Sequence, residues 1–534
     1  MKRGLLNFWH SWFANARLIG SIHFQVFWKN PIAYIAAARW FLVRKRVRAR
    51  GRLAPLLGQS PNAYTYWSLR DQQGKKVLPV LKDPPIFALI SKLGAEPGDL
   101  EATFRNLSAQ GIVTLAVTAP VEAIDAIDWT SKPWILFMSA GDKLAPNAAN
   151  KYREATDIAK ADVIYADDDA YDRWGRRHAP HFKPDWNSEL FAQFDYLTGS
   201  CLARCSPTSL AAHSGKPDWA AKLVNDALRQ TGAYHLQEVL HHRKTRPAPP
   251  AKPKPLDVRV DLPSVSIIVP TRNRMELLST CLEGLKSTRY PDVEVIIVDN
   301  DSDDPDALAY LAAIDPSFAR VIRHPGAFNY SRINNLAAAE AKGQLLCLLN
   351  NDIEINSSDW LSILATQALR SDVGAVGPQL LYPDGRIQHA GVVIGVGNAA
   401  GHAHRLLRPE EEGYFRRHAL PHFVSAVTGA CLVVAREKFL AVGGLNEKDF
   451  AVAYNDVDLC LRLNQSGWQS LYEPRAVLVH HESVSRGFDR DPVGAARFAG
   501  ELRALQDIWR TESIVDPFHH PQLSRASEQF VIAL

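Results

Sequence analysis

The sequence of 534 residues has six cysteines and no Cys-x-x-Cys pair among them, which excludes a zinc ribbon and a dithiol redox motif. Cys201, Cys205, Cys281, Cys347, Cys431 and Cys460 are thinly spread, several of them inside apolar runs. A thiol there is a small core residue, and the pattern suits a reducing cytoplasm. No uninterrupted apolar run reaches the roughly 18 residues that a membrane-spanning helix needs. The start lacks the compact apolar segment and small-residue cleavage site of a signal peptide. Charge of one sign is not in excess, and a net charge of +4 does not suggest a nucleic-acid binder. No Gly-rich loop follows the candidate strand at Val265, so neither a P-loop nor a dinucleotide fingerprint is present.

The apolar content of 46% and charged content of 22% are ordinary for a folded protein. The length is too great for one core, and about three domains is the prior. Residues 5–43 are rich in Trp and Phe, interrupted by His10, Arg17, His23, Lys29 and Arg39. A basic block follows: Arg44, Lys45, Arg46, Arg48, Arg50 and Arg52. Aromatics beside basic residues fit a helix lying on an anionic membrane face; the competing reading is a helical pair packed on the rest of the protein. Residues 1–60 are therefore read as an aromatic and basic helical segment, peripheral to the inner face of the cytoplasmic membrane, in a cytoplasmic protein.

A proline-dense stretch, Arg246 to Pro255, is a linker, because proline at that density stays extended. It separates a unit at 85–245 from a unit at 263–515, with the linker at 246–262 and a C-terminal tail at 516–534. In the second unit Val265 to Val269 is an apolar strand ending in Pro270-Thr271-Arg272-Asn273. A helix is expected from Met275 to Ser287. The next strand, Val293 to Val298, ends in Asp299-Asn300-Asp301, and a further helix and strand run from Ser331 to Leu349 and end in Asn350-Asn351-Asp352. Apolar strands alternating with helices predict a parallel sheet buried on both faces. The polar residues at the strands' C-terminal ends mark where such a sheet binds ligands.

The chain also repeats itself. Trp134 to Asp142 parallels Leu345 to Asp352, and Trp174-Gly175-Arg176 parallels Asp384-Gly385-Arg386, both at a spacing of 210 residues. Leu197 to Leu202 parallels Val427 to Leu432, and Asn225-Asp226 parallels Asn455-Asp456, both at 230. Two copies of one domain follow. The first copy is eroded. Its strand Ile86 to Ile90 is followed by Ser-Lys-Leu-Gly, and its second strand, Ile112 to Val117, ends without an acid matching Asp299. Asp142 survives, preceded by Ser-Ala-Gly. Asp167-Asp168-Asp169 is read as a solvated turn. The first copy is expected to bind no nucleotide sugar.

In the second copy Asp352, at a strand end, is a candidate to hold a hard cation on a diphosphate, with a simple turn as the competing reading. Val457, Leu459, Leu461 and Leu463 predict a buried helix starting near Asn455. Asp456 in its first turn either stabilises the helix start or accepts a hydroxyl proton as a general base. His480 and His481 follow an apolar strand, Ala476 to Val479, and are candidate metal ligands. Asp299 either forms a turn or hydrogen-bonds a nucleobase or ribose.

The ordered motifs Pro270-Thr-Arg-Asn-Arg, Ile297-Val-Asp-Asn-Asp-Ser, Asn329-Tyr-Ser-Arg-Ile-Asn-Asn, Leu349-Asn-Asn-Asp, Pro383-Asp-Gly-Arg-Ile-Gln-His-Ala-Gly, Val427-Thr-Gly-Ala-Cys, Tyr454-Asn-Asp-Val-Asp-Leu-Cys and His480-His-Glu-Ser resemble family 2 glycosyltransferases of the GT-A fold. Within that family the similarity is to tandem rhamnosyltransferase-like proteins of bacterial polysaccharide assembly, strong over about 263–512 and weak over about 85–245. The resemblance implies an α/β protein with two GT-A-type, Rossmann-like domains, the first degenerate, behind an N-terminal helical segment. It implies inverting transfer of a sugar, rhamnose being one candidate, from a nucleotide-diphosphate donor to a glycan or lipid-linked glycan acceptor in cell-surface polysaccharide synthesis. By the same match Pro270, Thr271, Arg272, Asn273, Asp299, Asn335 and Asn351 would contact the donor. Asp352 with His480 or His481 would hold Mn²⁺ or Mg²⁺. Asp456 would be the base, and Thr428, Gly429 and Asn455 would line the sugar region. Asn350 and Asn351 stand where many relatives carry acids, so metal affinity rests on fewer charges. The alternative is a non-catalytic glycan-binding or scaffold protein of a polysaccharide assembly complex.

Overall fold

The computed structural model describes residues 2–72, 78–92, 94–481 and 492–534, without the side chains of 2–14, 46–48 and 230. Four helices come first: α1 (Lys2–Lys29), α2 (Pro31–Leu42), α3 (Arg46–Gly58) and α4 (Ala63–Gln72). Asn30 caps α2 by accepting from the Ala33 N–H, and Pro31 follows at the first helical position, where its missing N–H costs nothing.

The first sheet is built from β1 (Ile86–Ser91), β2 (Val113–Val117), β3 (Trp134–Ser139), β4 (Lys143–Leu144), β5 (Val163–Tyr171), β6 (Arg177–His181), β7 (Cys201–Ala203) and β8 (Ala233–Arg243). The second contains β9 (Val265–Thr271), β10 (Val293–Asp299), β11 (Ala319–Arg323), β12 (Leu345–Leu349), β13 (Ile353–Glu354), β14 (Val373–Leu381) and β15 (Ile387–His389). A small separate ribbon, β16 (Val392–Ile394) and β17 (Ala400–His402), follows; β18 (His422–Val424), β19 (Cys431–Ala435) and β20 (Gln469–His480) complete the second sheet. The strand orders are β2-β1-β3-β7-β5-β8-β4 and β11-β10-β9-β12-β19-β14-β20-β13. Strand for strand these are the same order, with β11 added at one edge of the second sheet. The repeat seen in the sequence is thus a repeat of topology.

Three expectations need correction. The sheets are mixed: β11, β10, β9 and β12 are parallel, but β19 runs antiparallel to both β12 and β14. The short Cys431–Ala435 segment is fully buried and apolar, so its residues carry no sign of strand direction. The Asn225-Asp226 match also fails in register. Asn455 opens the helix Asn455–Gln465, whereas Asp226 lies deep inside the helix Trp219–Thr231 and pairs with His213 Nε2 at 2.6 Å.

The larger correction concerns Asp167-Asp168-Asp169, expected to be a solvated turn. All three lie fully buried in β5. A buried carboxylate stays charged only when paired, because its desolvation costs several kcal/mol. Each one has a different partner set. Asp167 accepts from Lys183 N–H at 2.7 Å and faces His235 Nε2 at 3.1 Å and His520 Nε2 at 2.8 Å. Asp168 meets Lys183 Nζ at 2.8 Å and the guanidinium of Arg246. Asp169 accepts from Tyr64 Oη at 2.6 Å and His242 Nδ1 at 2.7 Å, and pairs with Arg177. Burial alone would raise the Asp167 and Asp168 carboxyls. The two histidines at Asp167, and Lys183 with Arg246 at Asp168, outweigh it and hold both well below the usual range.

The partners come from far apart in the chain: Tyr64 from α4, Arg246 from the proline-rich linker, His520 from the C-terminal segment. The strand is a knot that ties these three segments together. The C-terminal segment is accordingly packed rather than free, with Asp516, His519, His520, Leu523 and Phe530 buried and Gln522 accepting from Trp67 Nε1 at 2.8 Å.

Candidate functional site

The parallel half of the second sheet carries its polar residues to one edge. In register, Asp299 at the end of β10 lies opposite Thr271 at the end of β9. Thr271 Oγ1 in turn accepts from Asn351 Nδ2 at 3.0 Å, just beyond β12. The next residue, Asp352, is buried, and its Oδ1 faces His480 Nε2 at 3.0 Å. Antiparallel pairing of β12 with β19 brings the 428–430 turn alongside, where Asn350 N–H donates to Ala430 O at 2.9 Å. Gly429 N–H then donates to Asp456 Oδ2 at 2.8 Å, while Val457 N–H donates to Oδ1 at 2.8 Å. Asp299, Thr271, Asn351, Asp352, His480, Gly429 and Asp456 are therefore linked along one sheet edge by hydrogen bonds and register alone.

Other expected site residues serve the frame of this edge. Asn273 accepts from the N–H groups of Asp303 and Asp304, both at 3.1 Å, and donates to Asp303 Oδ1 at 2.8 Å, fastening the loop after β10. Arg272 is half exposed, 3.9 Å from Asp303. Pro270 is buried inside β9. Asn335, on the helix Tyr330–Glu340, grips Leu445 through both its amide atoms at 2.8 and 2.9 Å. Asn455 is buried and donates to Val452 O at 2.8 Å. Thr428 Oγ1 accepts from the Ala430 N–H at 3.3 Å and shapes the turn. His481 donates its backbone N–H to Asp352 O at 3.0 Å, but its ring turns to Glu354 at 2.9 Å. Of the His-His-Glu-Ser motif, Glu482 and Ser483 lie outside the described residues.

A residue that sequence reasoning left unassigned completes the His480 environment. Gln388 in β15 is buried and its Oε1 lies 2.7 Å from His480 Nδ1. Its only sequence signal was its place in the Pro383 to Gly391 motif.

The equivalent edge of the first sheet has been filled by cations. The β4–β8 and β13–β20 ladders place Lys143 opposite His242 and Ile353 opposite His480. Asp142 thus corresponds to Asp352, His242 to His480 and Arg243 to His481. Asp142 is fully buried, accepts from Lys244 N–H at 2.8 Å and has Arg243 Nε 3.6 Å away; burial, opposed by Arg243, pushes its carboxyl up to about 6. A Cβ built on Gly199, the counterpart of Gly429, would lie 2.6 Å from Arg243 Nη2. The guanidinium occupies the space between the acid and the glycine turn, where a metal and diphosphate would need to sit. His242 is drawn away to Asp169.

Two donor sets bear on metal binding. At the second-sheet edge, a carboxylate and an imidazole fit Mn²⁺ or Mg²⁺ less than fully by themselves, but they suit Mn²⁺ in kind. Gln388 Oε1 stands beside His480 Nδ1 and His480 Nε2 faces the Asp352 carboxylate, so the two side chains could hold a cation together when Nδ1 carries the proton. The second set, Asp167, His235 and His520, has ligand atoms within 4.8 Å of one another. There, however, Gln522 N–H donates to His520 Nδ1 at 3.1 Å. The His520 proton is therefore on Nε2, facing Asp167, which leaves that nitrogen no lone pair for a metal.

Residues 266–439 match the model of Glycosyl transferase family 2; they lie in the second of the two mixed α/β units, whose strand order the first sheet repeats. Among curated relatives, an uncharacterized protein of Sinorhizobium fredii is 34% identical over 499 residues, covering 84% of this chain and 54% of that one. An O-antigen biosynthesis protein of Myxococcus xanthus is 36% identical over 403 residues, 67% of this chain and 31% of that one. An N-acetylglucosaminyl-diphospho-decaprenol L-rhamnosyltransferase of Mycobacterium tuberculosis is 31% identical over 150 residues, 27% of this chain and 48% of that one. The chain spans about half the length, or less, of these relatives.

Proposed function

We propose that the chain is an inverting glycosyltransferase with one working site, at the C-terminal edge of β9, β10 and β12. The observation that carries this reading is the joining of the Asp352–His480 pair and the Asp456–Gly429 pair at the end of β12. Asp299 and Asn351 border the nucleoside side of the donor. A divalent cation held by Asp352 and His480 would neutralise diphosphate charge. Asp456 takes the proton of the acceptor hydroxyl, whose oxygen bonds to the anomeric carbon as the bond from that carbon to the diphosphate oxygen breaks. The sugar inverts and the nucleoside diphosphate leaves. The names of the Myxococcus and Mycobacterium relatives support a role in cell-surface polysaccharide and a deoxyhexose such as rhamnose on a lipid-linked acceptor. For the first domain the plug at Arg243 favours the non-catalytic reading: a scaffold or acceptor platform without a donor site.

A panel of nucleotide sugars with Mn²⁺, scored by donor hydrolysis and by protection against melting, tests the reading. One donor should give both signals. Asp352→Ala should abolish them, whereas Asp142→Ala should leave them within about twofold. Full response by Asp352→Ala, or loss with Asp142→Ala, would refute the one-site assignment.

A lipid-linked acceptor requires access to a membrane, and the N-terminal helices fit that need. Among the described residues no helix is long and apolar enough to cross a bilayer. On α1 and α2, however, Trp28 is 69% exposed, Ile32 82% and Leu42 81%, with Phe24 and Phe41 also exposed. Lys29, Arg39, Arg44 and Lys45 lie among them. Apolar insertion flanked by basic residues is how peripheral helices bind anionic surfaces, at about 1 kcal/mol per basic residue. The triple substitution Trp28→Ser, Ile32→Ser, Leu42→Ser should abolish sedimentation with phosphatidylglycerol vesicles without lowering the melting temperature. Equal sedimentation of both proteins would refute membrane contact through this face.

A further inference from the structure

We propose that Gln388 is a positioning residue that fixes the tautomer and ring orientation of His480, and thereby the cation affinity of the Asp352 site. The proposal rests on the reading of Asp352 and His480 as cation ligands. A neutral imidazole binds a cation through one nitrogen only if the proton is on the other, and a fixed acceptor for that proton is what holds the ring ready. Gln388 Oε1 lies 2.7 Å from His480 Nδ1, and both residues are buried, so water does not compete for the bond. His480 Nε2 then points to Asp352 Oδ1, 3.0 Å away.

The fold makes Gln388 a rigid support. It is the middle residue of β15, which pairs with β14 through Leu380–His389 and Leu381–Ile387. The preceding turn is tied by Arg386: Tyr382 N–H donates to Arg386 O at 2.8 Å, and Gly385 N–H donates to Tyr382 O at 2.9 Å. Gly385 adopts φ +81°, the left-handed conformation that favours glycine. Flanking residues Ile387 and His389 are fully buried, so the strand cannot rotate Gln388 outward without exposing its neighbours. His480 itself is the last residue of β20, pinned opposite Ile353 at the start of β13, one residue from Asp352. Gln388 and His480 thus come from two strands and Asp352 from the turn that leads into a third, and the ladders of these strands set their positions.

The first domain offers an internal contrast. There the histidine corresponding to His480, His242, gives its Nδ1 to a carboxylate, Asp169, at 2.7 Å, and Asp142 faces Arg243 instead of an imidazole. Where the cation site has been replaced by an arginine, the neutral amide support is replaced as well.

The test uses the full chain, Mn²⁺ alone as the probe, and the free-ion paramagnetic resonance signal as the readout. Gln388→Leu keeps the side-chain volume but removes the acceptor; Gln388→Glu keeps an acceptor for Nδ1–H. Gln388→Leu should weaken Mn²⁺ binding about 10- to 100-fold, and Gln388→Glu should stay within about threefold of the parent. In ¹⁵N-histidine spectra the His480 resonance, identified by its loss in His480→Gln, should carry its proton on Nδ1 in the parent protein. Unchanged Mn²⁺ affinity in Gln388→Leu, with Asp352→Ala weakened, would overturn this inference alone. So would a proton found on Nε2, or Gln388→Glu as weak as Gln388→Leu. Unchanged affinity in Asp352→Ala would overturn the cation site itself and this inference with it.

Discussion

Asp456→Asn should lower turnover by about 10²- to 10⁴-fold while donor affinity stays within a few-fold of the parent. The carboxylate is held by two backbone donors, Gly429 N–H at Oδ2 and Val457 N–H at Oδ1. Those bonds aim it and leave the second lone pair of each oxygen open. An amide cannot take the acceptor's proton. It also cannot satisfy the frame, because its NH₂ must face one of the two N–H groups whichever way it turns. A lost acceptor of this kind costs about 1–3 kcal/mol, so the variant should also melt earlier. The two effects separate cleanly: folding loss lowers the active fraction, whereas loss of the base lowers turnover per folded molecule. Rates normalised to donor-binding sites measure the second. Near-parental turnover per site would remove Asp456 from the mechanism and leave it a helix-start residue of Asn455–Gln465.

Asp456 also shows what the sequence could and could not disclose. Its place at a helix start followed from the spacing of Val457, Leu459, Leu461 and Leu463, since local periodicity is written in neighbouring residues. The strand ends carrying Asp299 and Asp352 were legible for the same reason. The antiparallel β19 was not, because strand direction is decided by a partner 80 or so residues away and leaves no mark on five apolar residues. The β11 strand was missed because its pattern, Ala-Arg-Val-Ile-Arg, is that of a half-exposed edge. For Asn335 and Asn273 a motif match names residues without saying which neighbours their amides meet; the structure supplies Leu445 and the Asp303–Asp304 turn. Asp167-Asp168-Asp169 failed most plainly. Three consecutive acids read as solvent-loving from sequence alone. Their partners, Lys183, Arg177, His235, Arg246 and His520, are scattered over some 340 residues, and only the fold assembles them.

That same burial of polar groups sets the second large expectation: the protein should lose stability steeply as pH falls from about 6.5 to 5. His181, His241, His389 and His404 are pushed well below the ordinary imidazole range, chiefly by burial. Burial, aided by Arg417, lowers His422 and His519 to about 3. A histidine with a depressed pKa binds fewer protons folded than unfolded. Its contribution is complete above the unfolded value near 6.5 and shrinks as pH drops below it. One pH unit below that value, each such group costs about 1.4 kcal/mol. Six together approach the whole stability of an ordinary domain, about 5–15 kcal/mol. His235 has the opposite sign: burial would lower it, but Asp167 and Asp185 raise it, so its contribution is present below 6.5 and fades as pH rises through the raised value. Burial also raises the carboxyls of Asp142, to about 6, and of Asp516, and these gain stability as pH falls through their raised values; three such groups do not offset six. Asp167 and Asp168, held low, lose their contribution only below the ordinary carboxylate range near 4, outside this window. Urea unfolding at pH 7.5, 6.5, 5.5 and 5.0 should therefore give a midpoint that is nearly flat at the top and falls sharply at the bottom. His519→Leu, which removes one of these groups, should recover about 1.4 kcal/mol of the loss at pH 5.5. A midpoint unchanged between pH 7.5 and 5.0 would mean that these histidines are not buried neutral in solution, and that the packing of the 404–422 region and the C-terminal segment around them is looser than the structure has it.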